Sequence, residues 1–191
     1  TITTDGTAFS GWQEQDGPRT VQEDVRRAVE SMVHHEVQLS GSSRTDKGVH
    51  AEALPANFKT SSLIPERGFL AGLNAALEDD VAIRSVEEVA LDFDARHSAV
   101  AKTYAYRFQV GPTRLPLVHR TSWYVHHELD VAAMTDAAKR CEGIHRFGAF
   151  RARGCTSHTS ERRLYDLRVE HEPGSPFVTL RITGNAFLRN M

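Results

Sequence analysis

The chain has 191 residues, of which 40% are hydrophobic, 8% aromatic and 25% charged, with 13 glycines and 7 prolines. These proportions are typical of a soluble globular protein and exclude the collagen-like, mucin-like, disordered and disulfide-scaffold classes. No apolar stretch approaches the roughly 20 residues of a membrane span, and the first six residues lack the basic and apolar regions of a signal peptide. Two cysteines without metal-ligand spacing fit reduced thiols, so we expect a cytoplasmic protein without membrane contact.

The formal net charge of −2 conceals a strong asymmetry between the two halves of the chain. Residues 1–100 contain 9 Lys and Arg against 17 Asp and Glu, whereas residues 101–191 contain 14 against 8. Clustered arginines in the second half are typical of a phosphate-binding surface. A solvated surface with a few ion pairs explains the same charges equally well.

Local patterns in the first half predict two helices of similar length and several short strands. Thr-Val-Gln-Glu at 20–23 is a capping box, and the apolar stripe that follows predicts a helix to about residue 34. A second helix is predicted over 65–77, with proline in its first turn. Short strands are predicted at 37–39, 51–58 and 81–89, the second of them only if its proline lies at an edge or bulge.

The second half of the chain is also predicted to combine helices with strands. Alternating apolar and polar residues predict a strand over 98–110, and an aspartate cap predicts a helix over 130–141. Two strands over 164–171 and 177–183 are predicted to form a hairpin. Apolar residues after Asn185 predict the first turn of another helix, so we expect the natural protein to continue beyond Met191, and residues before Thr1 to be missing.

No Gly/Ser-rich linker separates the two halves. We therefore expect an α+β protein with an N-terminal half over 1–97 and a C-terminal half over 98–191 that share a central sheet.

The segment 43–50 concentrates four ionisable side chains, those of Arg44, Asp46, Lys47 and His50. An aspartate-initiated turn, with glycine at a positive φ, is one interpretation of this segment. The other is a carboxylate kept ionised by neighbouring cations and available as a nucleophile or base.

The same loop carries a resemblance to a known family. Ser-Arg-Thr-Asp-Lys-Gly-Val-His-Ala at 43–51 resembles the signature Gly-Arg-Thr-Asp-x-Gly-Val-His-Ala of the TruA family of tRNA pseudouridine synthases. Four further segments resemble other motifs of the family and occur in the same order along the chain. They lie at 5–13, 93–106, 143–150 and 184–191. Together they span nearly the whole chain.

The chain departs from the family pattern at a few positions. Ser43 replaces the usual glycine, Lys47 the common alanine, and Arg146 the more usual aspartate. The family also has an arginine shortly after the position of Met191, where it serves as the basic partner of the catalytic carboxylate.

The resemblance implies the pseudouridine synthase fold, with two ferredoxin-like or RRM-like halves around a mostly antiparallel sheet and helices on one side. It implies isomerisation of uridine to pseudouridine in the anticodon stem-loop of tRNA by a homodimer, without a cofactor. The reaction breaks the N1 glycosidic bond, rotates the uracil and rejoins it through C5.

The family motifs imply roles for three residues. Asp46 is the catalytic carboxylate, and the sequence leaves open whether it acts at the ribose carbon or at the uracil ring. Arg44 helps to hold the extruded nucleotide, because extrusion costs a few kcal/mol. Tyr104 stacks on the base or transfers the proton from C5, although alternation alone predicts a core tyrosine.

Basic residues are predicted to bind the phosphates of the RNA. These are Arg96, His97, Arg146, Arg151, Arg153, Arg162 and Arg163. We expect no metal site, because the ten histidines show no metal-ligand spacing. His50 and His145 are expected to orient loops, and Trp12 to be a structural anchor.

Two other functions compete with this interpretation. A non-catalytic RNA-binding or chaperone protein would use the same basic surface. A glycoside hydrolase would need a second carboxylate beside Asp46, for which Glu52 is the only close candidate in sequence.

Overall fold

The structure of the chain is a computed structural model that describes residues 1–155 and 157–191. The chain divides into two compact units, Thr1–Ala99 and Val100–Met191. Both units combine helices with strands, which confirms the α+β class. A central sheet shared by the two halves stays a prediction.

The first unit is built on a short antiparallel sheet. Its elements are β1 (Ile2–Thr4), α1 (Val21–Val33), β2 (Ser40–Gly41), β3 (Ala51–Leu54), β4 (Ala56–Asn57), α2 (Glu66–Ala76) and β5 (Val81–Ile83). Strand β1 lies between β3 and β5 and is antiparallel to both, and β2 pairs with β4. Pro55 interrupts the predicted strand between β3 and β4, because proline cannot donate to a ladder.

Helix α1 contributes more buried residues to the core of the first unit than any other element does. Thr20 caps this helix by accepting a hydrogen bond from the Glu23 amide at 3.4 Å, as the capping box predicts, and the helix ends at His34 in the left-handed conformation. The apolar stripe of α1 is buried, with Val29 fully inaccessible. Trp12 is 2% exposed and belongs to the same core cluster, which confirms its structural role.

The described residues of the second unit form a five-stranded sheet and one α-helix. Its elements are β6 (Lys102–Val110), β7 (Trp123–Val125), α3 (Val131–Cys141), β8 (Gly143–Arg146), β9 (Glu161–His171) and β10 (Phe177–Gly184). The strand order is β7-β6-β10-β9-β8, and the pairs are antiparallel except β6 with β7. The predicted helix and hairpin are confirmed, and Asp130 caps α3 by accepting from the Ala133 amide at 2.9 Å.

Residues 37–39 do not form the predicted strand, although Val37 and Leu39 are buried in the core. Side chains replace the expected strand partner. The Val37 amide donates to a carboxylate oxygen of Glu30 at 3.1 Å, and the Gln22 side-chain amide donates to the Leu39 carbonyl at 2.8 Å. Buried backbone groups need partners, and here α1 supplies them.

The predicted helix after Asn185 is wrong for residues 185–191, which form one bend, one turn and irregular backbone. The Asn185 side chain accepts from the Arg163 amide at 3.0 Å, and the Asn185 amide donates to the Arg163 carbonyl at 3.0 Å. This asparagine therefore extends the pairing at β9 instead of capping a helix. Leu188 is nevertheless buried against Phe147 and Leu164.

Two predicted strands are shorter in the structure. Strand β5 ends at Ile83 rather than near residue 89, and the Glu88 amide instead donates to the Glu66 carboxylate at 2.7 Å. Strand β6 begins at Lys102 rather than near residue 98, because a hydrogen-bonded turn occupies the residues after Asp94. Among the residues described, no helix combines the length and apolarity needed to cross a bilayer.

Candidate active site

The candidate catalytic loop follows β2 in the first unit. Arg44 and Asp46 are exposed in this loop. Gly48 has a φ of +79° and the Val49 amide donates to the Asp46 carbonyl at 3.1 Å, so the predicted turn at 46–48 is confirmed. An exposed carboxylate at the tip of a turn is accessible to a large substrate such as a structured RNA.

Backbone hydrogen bonds hold the loop on both sides of Asp46. The Trp12 amide donates to the Thr45 carbonyl at 3.0 Å, and the Gly48 amide donates to the Phe9 carbonyl at 3.2 Å. Phe9 and Trp12 are both buried in the core of the first unit. The position of the Asp46 backbone is therefore set by the packed core rather than by the loop alone.

Glycines allow the segment 6–12 to approach the loop closely. A Cβ at Gly11, which has a φ of +93°, would lie 2.5 Å from the Thr45 carbonyl oxygen. A Cβ at Gly6 would overlap the Val49 carbonyl. The sequence Asp-Gly-Thr-Ala-Phe-Ser-Gly-Trp at 5–12 is thus a scaffold for the Asp46 loop.

His50 joins the end of the loop to the same scaffold. Its Nδ1 accepts a hydrogen bond from the Gly6 amide at 3.1 Å, which the neutral ring can do. A protonated ring would instead donate from Nδ1 to the Asp5 carboxylate, also 3.1 Å away. The predicted role of His50 in orienting the loop is confirmed, and His145 likewise contacts the Glu142 carbonyl at 2.7 Å.

Tyr104 lies in β6 of the second unit and is half-buried. Its ring packs edge-to-face against Phe187, with centroids 4.8 Å apart. Tyr106, which alternation predicts as a packing residue, is 52% exposed and forms an aromatic cluster with Phe108 and Trp123. Strand alternation places residues on faces but does not reveal which face another element covers.

Arg96 and His97 lie in a hydrogen-bonded turn of the first unit, and both are exposed. The Asp94 carboxylate accepts from the amides of Arg96 at 2.9 Å and His97 at 2.8 Å. The amide of His97 first, and then that of Arg96, lowers the pKa of Asp94. The turn is therefore held by an ionised side chain at neutral pH.

The five arginines predicted in the second unit fall into two groups. Arg146, Arg153 and Arg163 are exposed. Arg151, which is also exposed, and Arg162, which is buried, donate to the loop that precedes β9. Arg151 donates to the carbonyls of Cys155 at 2.7 Å and Ser157 at 2.9 Å, whereas Arg162 donates to the Thr159 and Glu161 carbonyls and the Ser157 hydroxyl.

Arg162 is only 8% exposed, and its Nε has no hydrogen-bond partner among the described residues. It occupies the same face of β9 as buried Leu164, two residues further on. The structure therefore gives Arg162 a position against the loop rather than on an exposed surface. The spacing to Leu164 was a signal of this burial in the sequence.

Comparison of the sequence with known proteins identifies the family of this chain. A family model described as tRNA pseudouridine synthase matches residues 2–98 and 137–191. The chain belongs to this family. Arg44, Asp46 and Arg96 lie in the first matched range, and the arginines from 146 to 163 lie in the second, whereas Tyr104 lies between the two.

Relatives of the tRNA pseudouridine synthase family align over almost the whole chain. The chain is 43% identical to tRNA pseudouridine synthase A of Geobacter sp. (strain M21) over 187 residues, which cover 98% of this chain and 75% of the relative. It is 42% identical to tRNA pseudouridine synthase A 2 of Clostridium perfringens (strain 13 / Type A), over all of this chain and 78% of the relative. Pseudouridine synthases are isomerases.

Sequence reasoning missed one side chain near the predicted site. Asn57, at the end of β4, accepts from the Ala95 amide at 2.8 Å and donates to the Phe93 carbonyl at 3.4 Å. It thereby holds the turn that carries Arg96. The short strand gives no periodic signal, and an asparagine after alanine carries no motif of its own.

Proposed function

We propose that this chain converts uridine to pseudouridine in the anticodon stem-loop of tRNA, with Asp46 as the catalytic carboxylate. The observation that carries the proposal is the exposed Asp46 in a loop that matches the family's signature and that is held by backbone bonds at Thr45 and Gly48. Such anchoring is what a catalytic group needs, because small displacements of a reacting atom reduce the rate strongly.

The proposed reaction is an isomerisation that needs one carboxylate. The bond from ribose C1′ to N1 breaks, a bond from C1′ to C5 forms, the C5 proton leaves, and N1 gains a proton. Asp46 bonds either the ribose carbon or the uracil ring during this exchange. Arg44, two residues away and exposed, is proposed to hold the extruded nucleotide, and Tyr104 to stack on the base or to take the C5 proton.

The proposed RNA surface uses exposed basic side chains. They are Arg96, His97, Arg146, Arg151, Arg153 and Arg163. Arg162, which is buried, is proposed to support this surface by shaping the loop between β8 and β9. We further propose that the enzyme acts in the cytoplasm as a homodimer, as the family resemblance implies.

Asp46→Asn tests the proposal, because it removes the charge of the carboxylate while keeping its shape. Purified protein is incubated with tRNA labelled with tritium at uracil C5, and the tritium released to water is measured. We expect release by the wild-type enzyme and a loss of at least about a thousandfold in the variant, with tRNA affinity within about threefold of wild type.

Asp16→Asn serves as a matched control, since Asp16 is an exposed carboxylate outside the loop. It should release tritium at the wild-type rate. A wild-type protein that binds tRNA but releases no tritium would instead identify a non-catalytic RNA-binding protein.

A further inference from the structure

The turn that carries Arg96 is held by side chains rather than by a regular element. Asp94 accepts from the amides of Arg96 and His97, and the Ser98 amide closes the turn on the Asp94 carbonyl at 2.8 Å. These bonds fix the shape of the turn. They do not by themselves fix its place on the first unit.

Asn57 supplies that attachment through one planar amide group. Its Oδ1 accepts from the Ala95 amide at 2.8 Å, and its Nδ2 donates to the Phe93 carbonyl at 3.4 Å. The two bonds bracket Asp94 in sequence, and Ala95 is only 2% exposed. An asparagine can donate and accept at once, whereas an aspartate cannot donate to a carbonyl when ionised.

Asn57 is itself held in place by pairing. Its strand β4 is paired with β2, in a register that opposes Asn57 to Ser40. The catalytic loop begins immediately after β2, so the short two-stranded sheet connects the strand leading to Asp46 with the side chain that holds the turn of Arg96. The same small sheet therefore supports both segments within the first unit.

We infer that Asn57 is a positioning residue for tRNA binding, which holds the turn 93–97 so that Arg96 meets an RNA phosphate. This inference rests on the proposed function. A guanidinium binds phosphate more tightly when its backbone is already in place, because ordering a mobile turn at binding reduces the affinity. Asn57 removes that cost before the RNA arrives, and without Asn57 the cost offsets the gain from the contact, so that the phosphate contact of Arg96 is lost.

A double-mutant cycle tests the inference with Asn57→Ala, Arg96→Ala and the combined variant. The measurements are the Kd for tRNA by filter binding at several salt concentrations, together with kcat and KM for tritium release. We expect each single variant to weaken binding by about tenfold and to lower the salt slope by about one. The combined variant should be no weaker than Arg96→Ala, because without Arg96 the turn has nothing to position.

Asn74→Ala is the matched control. Asn74 also makes two backbone hydrogen bonds, accepting from the Ile83 amide at 2.8 Å and donating to the Ile83 carbonyl at 2.9 Å, but these bonds hold β5 and not the turn of Arg96. It should lower the thermal stability as Asn57→Ala does, yet leave the Kd and the salt slope unchanged. Asn57→Asp, which keeps the acceptor for Ala95, is the milder variant if Asn57→Ala folds poorly.

Losses that multiply in the combined variant, or a wild-type salt slope in Asn57→Ala or Asn57→Asp, would overturn the inference. An Arg96→Ala variant that binds tRNA like wild type would overturn it as well, while leaving the catalytic proposal intact. Failure of the wild-type enzyme to release tritium is a separate result, which contradicts the proposed function.

Discussion

Gly11 illustrates how one residue without a side chain determines the place of a catalytic group. Its φ of +93° favours glycine, and a Cβ would lie 2.5 Å from the Thr45 carbonyl oxygen. In Gly11→Ala the backbone next to Asp46 must move. We expect a stability loss of about 1–3 kcal/mol and a fall in kcat of about a hundredfold, measured by thermal unfolding and tritium release.

Gly17→Ala is the control for Gly11→Ala. It introduces the same backbone strain without displacing the loop of Asp46. Gly17 has a φ of +98°, but no atom of the described residues lies within 4 Å of the place that a Cβ would take. An alanine there is strained without pushing on a neighbour, so it should lose a similar stability and keep kcat. Equal losses of kcat in both variants would show that strain, not the position of Asp46, explains the effect.

Residues inside a motif were predictable, and residues outside one were less so. The turn at Gly48 follows from the preferences of aspartate and glycine for turns, the loop-orienting role of His50 follows from the signature, and the structure confirms both. The burial of Arg162 was not predicted, because the predicted strand began only at residue 164 and so left Arg162 outside the alternation with Leu164. Asn57 was missed since its role depends on a turn 36 residues away in sequence.

At the scale of elements, capped and strongly periodic segments were predictable. Helices α1 and α3 begin at the residues that their caps predict. The predictions for 37–39 and 185–191 were wrong because side chains bind the backbone there or extend the pairing of a neighbouring strand. Propensity describes a segment in isolation and cannot include a partner that arrives by folding.

An ion-pair network on α1 connects this helix to both of its flanking segments. Arg26 donates to Glu14 at 2.7 Å and to Glu30 at 2.6 Å, and the Val37 amide also donates to Glu30. The bond from Arg26 lowers the pKa of Glu14. The Val37 amide first, and then Arg26, lowers the pKa of Glu30.

These directions predict how stability changes with pH. Both folded pKa values lie below the ordinary 4.5, so the folded state binds fewer protons than the unfolded state in mild acid. The stabilisation is complete above about pH 4.5 and is lost as the pH falls through the folded values. Arg26→Gln should therefore lower Tm by about 1–3 °C at pH 7 and by less at about pH 3.

Thermal unfolding followed by circular dichroism between about pH 7 and pH 3 measures this difference. Arg27→Gln is the control, because Arg27 is 69% exposed and pairs with Glu23 one turn away on the same helix. It should change Tm by less than about 1 °C at pH 7. A Tm difference for Arg26→Gln that stays constant down to acidic pH would contradict the assigned network.

For the binding of RNA by the whole molecule, the distribution of charge along the chain matters more than the net charge. The first unit contains 9 basic and 17 acidic residues and the second 14 and 8, so the net charge of −2 describes neither. A polyanion is attracted by local basic surface and is repelled by acidic surface. The proposed tRNA contacts in the second unit are the exposed Arg146, Arg151, Arg153 and Arg163.

This distribution predicts that tRNA binding weakens steeply as the salt concentration rises. It also predicts that individual exposed arginines of the second unit determine how steep this dependence is. Replacing Arg146, Arg153 or Arg163 by glutamine should each weaken binding to different tRNAs alike, because phosphates carry no sequence information. Each change should also lower the slope of log K against log salt by about one, measured between roughly 50 and 200 mM salt. Arg168→Gln should lower it less, since Asp166 pairs with that guanidinium at 2.8 Å. An equal effect of all four changes would mean that the summed charge of the second unit, rather than these three exposed arginines, attracts the RNA.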